Sequence, residues 1–330
     1  MRRRYSIQLI VAVAWLLLVV LAAVLAPATA PAPNLLHTTA RPFQAGHWLG
    51  TDPVGYDVAV SLLAGARSAV LISLPAALFA NLVGGLLGML AGFSGNRRLR
   101  VPRGWAVTLL LVLSAAGLFV GHLWLHPRLG SAVFLLGGGA LGHLMSRTRW
   151  GREPLSFPFD DMVQALIALL DSVPLLVLVL AVAAIQRPSP IGLVVLLTAT
   201  CWTTSARLVR AATLRVLPLP FIAAAESMGL PPRRIMRRHI WPMVWPVLLI
   251  RIPLSIALII GLETTLSFLG IGMPPEAASW GRLLASSRLA PTAWWLIVCP
   301  GTALFFTIWS LQILAQQNTF GQAGRADVTK

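Results

Sequence analysis

The chain has 330 residues, 57% of them hydrophobic and only 11% charged, with a formal net charge of +16. That balance excludes an ordinary soluble domain and points to a protein solvated by lipid. The Arg residues are scattered through short segments between apolar runs and not gathered on one soluble stripe, which argues against a nucleic-acid partner.

A membrane crossing needs about 20 apolar residues. Candidates, in chain order, are Ile7–Leu25, Val70–Gly92, Trp105–Leu125, Gly130–Leu144, Met162–Ala184, Ile191–Ala211, Val244–Leu269 and Ala293–Ala315. That makes about eight crossings and an all-α, polytopic membrane helix bundle. Arg2-Arg3-Arg4, the first run and Ala28-Thr29-Ala30 mimic a cleavable leader. The run is about 19 residues against roughly 7–15 for a leader core, so it reads as an uncleaved first crossing in residues 1–26. Residues 27–67 then form an extracytoplasmic segment rich in Pro, Gly and polar residues, and 68–96 the next crossing. Gly84, Gly88 and Gly92 recur at every fourth position there, a spacing that lets helices approach closely. Residues 97–158 read as a hairpin of two helices. His122 and His126 within it have no Cys or carboxylate beside them, so they read as interfacial and not as metal ligands. Cys201 and Cys299 fall in apolar runs and read as small buried hydrophobes.

With the N-terminus inside, the outer segments hold only Arg41, Arg67, Arg128, Arg187, Arg282 and Arg288. Arg251 lies in a crossing, and the remaining cations fall inside, which is the orientation the positive-inside rule demands. Both termini come out cytoplasmic, the 317–330 tail included.

One polar island interrupts the apolar pattern, from Phe221 to Pro242. Phe221 to Met228 is an Ala-rich helix candidate that Gly229 ends with a left-handed residue, and Pro231-Pro232 bar its continuation. A second short helix, Arg233 to Ile240, follows and stops before Pro242. The pair forms a helix–turn–helix at the membrane surface.

This island resembles the coupling loop, or EAA loop, of ATP-binding-cassette (ABC) importer permeases. The match is Ala224-Ala225, three residues, Gly229, then Arg238-His239-Ile240-x-Pro242. Two further blocks are similar to the C-type permease subunit of the dipeptide/oligopeptide/nickel family (DppC/OppC-like). One runs from His47 through Gly50-Thr51-Asp52, Gly55 and Asp57 to Arg67. The other is Leu262-Glu263-Thr-Thr-Leu-Ser-Phe-Leu-Gly270, continuing to Ser279-Trp280-Gly281. Three blocks in the family's order are far more specific than one short motif.

The resemblance implies a type I ABC-importer permease core in 159–316, with the 221–242 loop docking on an ATPase and the 97–158 hairpin inserted. It implies a second homologous permease, two ATPase subunits that carry the ATP and Mg, an extracytoplasmic solute-binding protein docking near Gly50-Thr51-Asp52, and a bacterial inner membrane. The loop departs from the family: Ala223 stands where a Glu is usual, and Glu226 brings the acidic group back three residues later, on nearly the same helix face. Arg233 and Arg234 face either ATPase carboxylates or anionic headgroups, the latter worth about 1 kcal/mol each. Arg238 and His239 belong to the family pattern.

Glu263 and Asp171 fall within crossings, where a carboxylate is costly. Glu263 lines the pathway, pairs with Arg251 across helices, or makes a structural hydrogen bond to a neighbouring helix. The family's third-helix Asp position is Ala168 here, so that role is not carried to Asp171. The sequence has no Gly-x4-Gly-Lys-Ser/Thr phosphate loop and no nucleophile with a base, so ATP hydrolysis and enzymatic chemistry belong elsewhere. Peptides are the cargo the resemblance favours. A proton-driven carrier using Asp171 and Glu263, or a non-transporting scaffold, has no use for the Gly229 loop.

Overall fold

The computed structural model describes residues 2–27, 33–44, 46–95, 100–102, 154–156, 158–185, 189–271 and 278–327. Contacts divide the chain into two compact units, residues 1–89 with 167–330, and residues 90–166. The helices, in order, are α1 (Arg2–Leu25), α2 (Val58–Ser68), α3 (Leu74–Ser94), α4 (Phe159–Asp171), α5 (Leu175–Ile185), α6 (Pro190–Cys201), α7 (Thr203–Val216), α8 (Pro220–Ser227), α9 (Pro232–Ile235), α10 (Trp241–Phe268), α11 (Trp280–Ser286) and α12 (Trp295–Asp327). Among the described residues, four continuous helices are long and apolar enough to cross a membrane, or up to six if α4–α5 and α6–α7 each count as one bent span.

In the larger unit α12 packs against both α1 and α10, and α1 also meets α2. Val19 and Ala23 of α1 are buried with Ala66, Ile260, Trp280, Ala303 and Leu311. Trp15 Nε1 donates to Thr307 Oγ1 at 3.1 Å, which ties α1 to α12. The outward face of α1 stays apolar, with Ile10 and Val24 exposed, as a lipid-facing stripe requires.

Two helices run on where the sequence suggested a start and a stop. The crossing expected from Val70 begins at Val58 and is one helical stretch to Ser94, 37 residues long. The helix expected to stop before Pro242 instead runs through it, and Pro232–Phe268 is a second 37-residue stretch. The device is the same in both. A π turn, Ala69–Ser73 or Met236–Ile240, stands directly before a helix whose second residue is proline, Pro75 or Pro242. A proline ring presses on the carbonyl four residues back and offers that carbonyl no N–H. Shifting the register to i−5, as in the Trp241 N–H bond to the Met236 carbonyl, lets the helix pass. Each stretch is about 55 Å long against roughly 30 Å of hydrocarbon, so each overhangs the membrane.

Two expected crossings are broken. Met162–Ala184 is interrupted between α4 and α5 at Ser172–Pro174, because a residue before proline is driven out of the helical region. Ile191–Ala211 bends by 41° at Trp202, between α6 and α7. There Thr200 Oγ1 bonds back to the Leu196 carbonyl at 2.9 Å, a competition that bends helices. The tail expected from residue 317 continues α12 to Asp327.

The smaller unit holds a short antiparallel ribbon, β1 (Arg100–Pro102) with β2 (Pro154–Ser156), in the register Val101 opposite Leu155. It is the one departure from helix in an otherwise helical set of described elements. Gly95, at φ +51°, ends α3. The expected crossings Trp105–Leu125 and Gly130–Leu144, with His122 and His126, lie outside the described residues.

Candidate functional site

The Phe221–Pro242 island is built as a rigid corner. Pro220 opens α8 at a position where its missing N–H costs nothing. Gly229 closes it at φ +73°. The Leu230 N–H bonds the Ala225 carbonyl at 3.2 Å and the Gly229 N–H bonds the Glu226 carbonyl at 2.9 Å, the paired bonds of a Schellman stop. Pro232 then opens α9, and the π turn hands it to α10 without interruption. Ile222 and Ala225 point inward, with Ile235 and Ile240 likewise buried. Ala224, Glu226, Gly229, Arg233, Arg234, Arg238 and Pro242 are all exposed. The half-buried His239 ring lies 6.2 Å from Phe221, linking the two arms. The corner therefore presents its polar and cationic residues outward from an apolar inner seam.

The Gly50–Asp57 block is a second built element, but its side chains turn inward. Thr51 is fully buried; its Oγ1 donates to the His37 carbonyl at 2.6 Å and accepts the Ala40 N–H at 2.8 Å. Asp52 Oδ1 accepts the Val54 and Tyr56 N–H groups, folding the turn that contains Gly55 at φ +98°. Asp57 caps α2 through the Ala59 and Val60 N–H groups and meets His47 Nδ1 at 2.6 Å. Gly50, at φ +80°, leaves room for Trp295, whose Nε1 donates to the Thr51 carbonyl at 3.1 Å. What this segment offers outward is different: Leu36, Phe43 and Trp48 are exposed beside it. A cleft of ≈ 240 Å³ opens between Asp52, Val54, Tyr56 and Ser61 on one side and Ser279, Arg282, Ser286 and Leu289 on the other.

The intramembrane polar residues separate into two places. Glu263 and Arg251 do not pair. Both lie on α10, twelve residues and so about 18 Å apart along the axis. Glu263 is buried and accepts from Ser267 Oγ at 3.1 Å and from Ser68, so its hydrogen bonds tie α10 to α2. Arg251 Nε is buried without a hydrogen-bond partner. Asp171 has a partner the sequence did not indicate: its Oδ2 meets Arg207 Nη2 at 2.6 Å, and Thr203 Oγ1 donates to Oδ1 at 3.3 Å.

Gly84 and Gly88 sit where the approach of α7 demands them. A Cβ at Gly84 would fall on the Trp202 carbonyl and lie 2.9 Å from Ser205 Cβ, and one at Gly88 would fall on the Ala206 carbonyl. Gly92 is buried farther along α3. Beside this contact Ser205 Oγ donates to Asn81 Oδ1 at 2.8 Å, a buried polar clasp between α7 and α3. Arg207, Asn81 and Trp295 escaped the sequence reading. The available signal was the polar run Thr203-Thr204-Ser205-Ala206-Arg207 inside an apolar stretch, and the lone Asn81 in α3. Nothing in the sequence marked Trp295.

The model of the family described as "Binding-protein-dependent transport system inner membrane component" matches residues 138–317. A putative peptide transport system permease protein of Brucella suis is 28% identical over 317 residues, 95% of this chain and 85% of that protein. The dipeptide transport system permease protein DppC of Bacillus subtilis is 24% identical over 83% of this chain and 67% of its own length. A probable D,D-dipeptide transport system permease protein of Escherichia coli is 26% identical, covering 83% and 73% respectively. Among solved structures, a chain of the inward-facing MetNI methionine ABC transporter aligns over 75% of this chain and 93% of its own. The TM-score is 0.40 at 16% identity.

Proposed function

From the premise that this chain belongs to the family of binding-protein-dependent transport system inner membrane components, we propose that it is the transmembrane permease subunit of an ATP-driven peptide importer. The observation that carries this reading is the Gly229 corner. Its α8 arm is a short exposed helix, and its α9 arm is continuous with a 37-residue stretch running to Phe268. A push on the corner is therefore delivered to a membrane-length helix without a flexible joint between. That is what conversion of ATPase closure into rigid-body motion of a helix bundle requires.

The assembly takes a second homologous permease, two ATPase subunits docking at 221–242 with ATP and Mg bound on them, and a solute-binding protein on the opposite face. The termini are cytoplasmic in a bacterial inner membrane, and the core is of type I with 97–158 inserted. Peptide cargo is supported by relatives named as peptide transport permeases. Because Thr51, Asp52 and Asp57 are spent inside their own segment, the binding-protein contact falls on the exposed Trp48 and Phe43 and on the rim of the Asp52–Arg282 cleft.

Affinity purification from native membranes in mild detergent, with mass spectrometry and an ATP hydrolysis assay, tests the reading. An ATPase and a peptide-binding protein should co-purify. A folded chain that brings down no ATPase in several detergents refutes it and reopens a proton-driven carrier.

A further inference from the structure

The Asp171–Arg207 pair stands at an unusual place. Asp171 is the last residue of α4, at the α4–α5 break, and Arg207 lies one turn beyond the α6–α7 bend at Trp202. Counted along the helices, Asp171 is about 18 Å from the start of α4, and Thr203 about 20 Å from the start of α6. Both therefore fall near the middle of a bilayer core of about 30 Å, whichever end faces the cytoplasm, which places Arg207 within the span and not among the cytoplasmic cations where the sequence count put it. Yet the side chains are 35% and 52% exposed, so the pair lies on a surface of this chain. Mid-membrane charges do not face lipid; they face a protein neighbour or a water-filled path.

Two observations favour the path. The pair sits where both helices are discontinuous, and non-helical backbone at membrane depth is tolerated where it lines a cavity. A second cation also stands beside the α6–α7 bend. Arg251 of α10 lies within electrostatic range of Cys201 at the α6–α7 bend. Its Nε has no partner. A buried guanidinium N–H without an acceptor is costly, and an anion from outside the chain supplies one.

We propose that the joint of Asp171 and Arg207 receives the ionised ends of a zwitterionic peptide on its way through the membrane. Arg207 takes the peptide carboxylate, for which its planar fork is suited, and Asp171, released from Arg207, takes the ammonium. In the empty path each is the other's counter-ion, so neither charge is left bare at mid-membrane. Arg251 is a second cation that biases the region toward the carboxylate end. The inference rests on the permease reading and adds to it the residues that meet the cargo.

The test uses the assembled transporter in proteoliposomes with Cys201 and Cys299 replaced by Ser, so that an introduced cysteine is the sole thiol of this chain. Asp171→Cys is probed with an anionic sulfonate and a cationic trimethylammonium methanethiosulfonate reagent. With Arg207 and Arg251 in place, the anionic reagent should react roughly ten-fold faster once intrinsic rates are normalised. Leu169→Cys, about 200° around the same helix and exposed, should react with neither. Alanyl-alanine should slow the Asp171→Cys reaction in the presence of the binding protein, and its C-terminal amide should not.

Equal rates with the two reagents overturn the proposal. So does labelling by membrane-permeant maleimide alone, or cross-linking of Asp171→Cys to the second permease, which would make this face a subunit contact. ATPase stimulation by alanyl-alanine without protection also overturns it. Loss of the ATPase from the preparation strikes the permease reading itself, so the two failures are distinguishable.

Discussion

Gly229 allows the coupling reading to be tested in magnitude as well as direction. At φ +73° the backbone is left-handed, and a Cβ built there meets nothing within 4 Å. In the isolated chain Gly229→Ala and Gly229→Arg therefore carry the same penalty, the left-handed strain of an L-residue, about 1–2 kcal/mol. That strain lowers the population of the intact corner by a factor of about 5–30. Gly229→Asn should lose less, because its short polar side chain tolerates this conformation. If an ATPase covers the corner, Arg must do more harm than Ala, since only a docked partner supplies atoms for it to clash with. The assay is peptide-stimulated ATP hydrolysis of the reconstituted transporter, with ATPase retention on size-exclusion chromatography. The expected order of retained coupling is Gly, Asn, Ala, Arg. Equal loss for Ala and Arg would refute a partner at this corner, and no loss for Ala would refute the strain argument.

Other substitutions test the framework that holds these sites. Gly84→Ala and Gly88→Ala force a methyl group into backbone carbonyls of the α6–α7 bend, and each should destabilise by about 1–3 kcal/mol in thermal unfolding in detergent. Gly261→Ala, in α10 with open space around the new methyl, should be neutral or stabilising by up to about 1 kcal/mol in the same assay. Asp57→Ala removes the α2 cap and the His47 contact, and should cost about 0.5–2 kcal/mol, read as faster amide exchange in the first turn of α2. Gly50→Ala places a Cβ against the Ala40 carbonyl and Trp295 at a left-handed position; disturbed Trp295 packing, seen as a shifted fluorescence maximum, is the expected sign.

The legible parts of this protein are those whose cause lies within a few residues. Apolar runs long enough to span lipid are read directly, since a lipid-exposed backbone must satisfy its own hydrogen bonds as helix. The left-handed stop at Gly229 was equally open to reading, because Gly before Pro231-Pro232 leaves the backbone few alternatives. The glycines at 84 and 88 announced a close approach, though not its partner. Tertiary structure decided the rest. Pro242 read as a local break, yet a π turn before it carries the helix past, as one does before Pro75, a register shift that packing of the long helices can hold in place. The bend at Trp202 has no proline or glycine to announce it. The pairing of Asp171 with Arg207, 36 residues apart by number, and of Trp295 with Thr51, depends on which helix faces meet. Arg251 and Glu263 show the converse: the sequence offered them as a pair across helices, but both lie on α10, about 18 Å apart. Hydrophobic periodicity and turn chemistry act locally, whereas the partner of a buried polar group is chosen by the packing of distant segments.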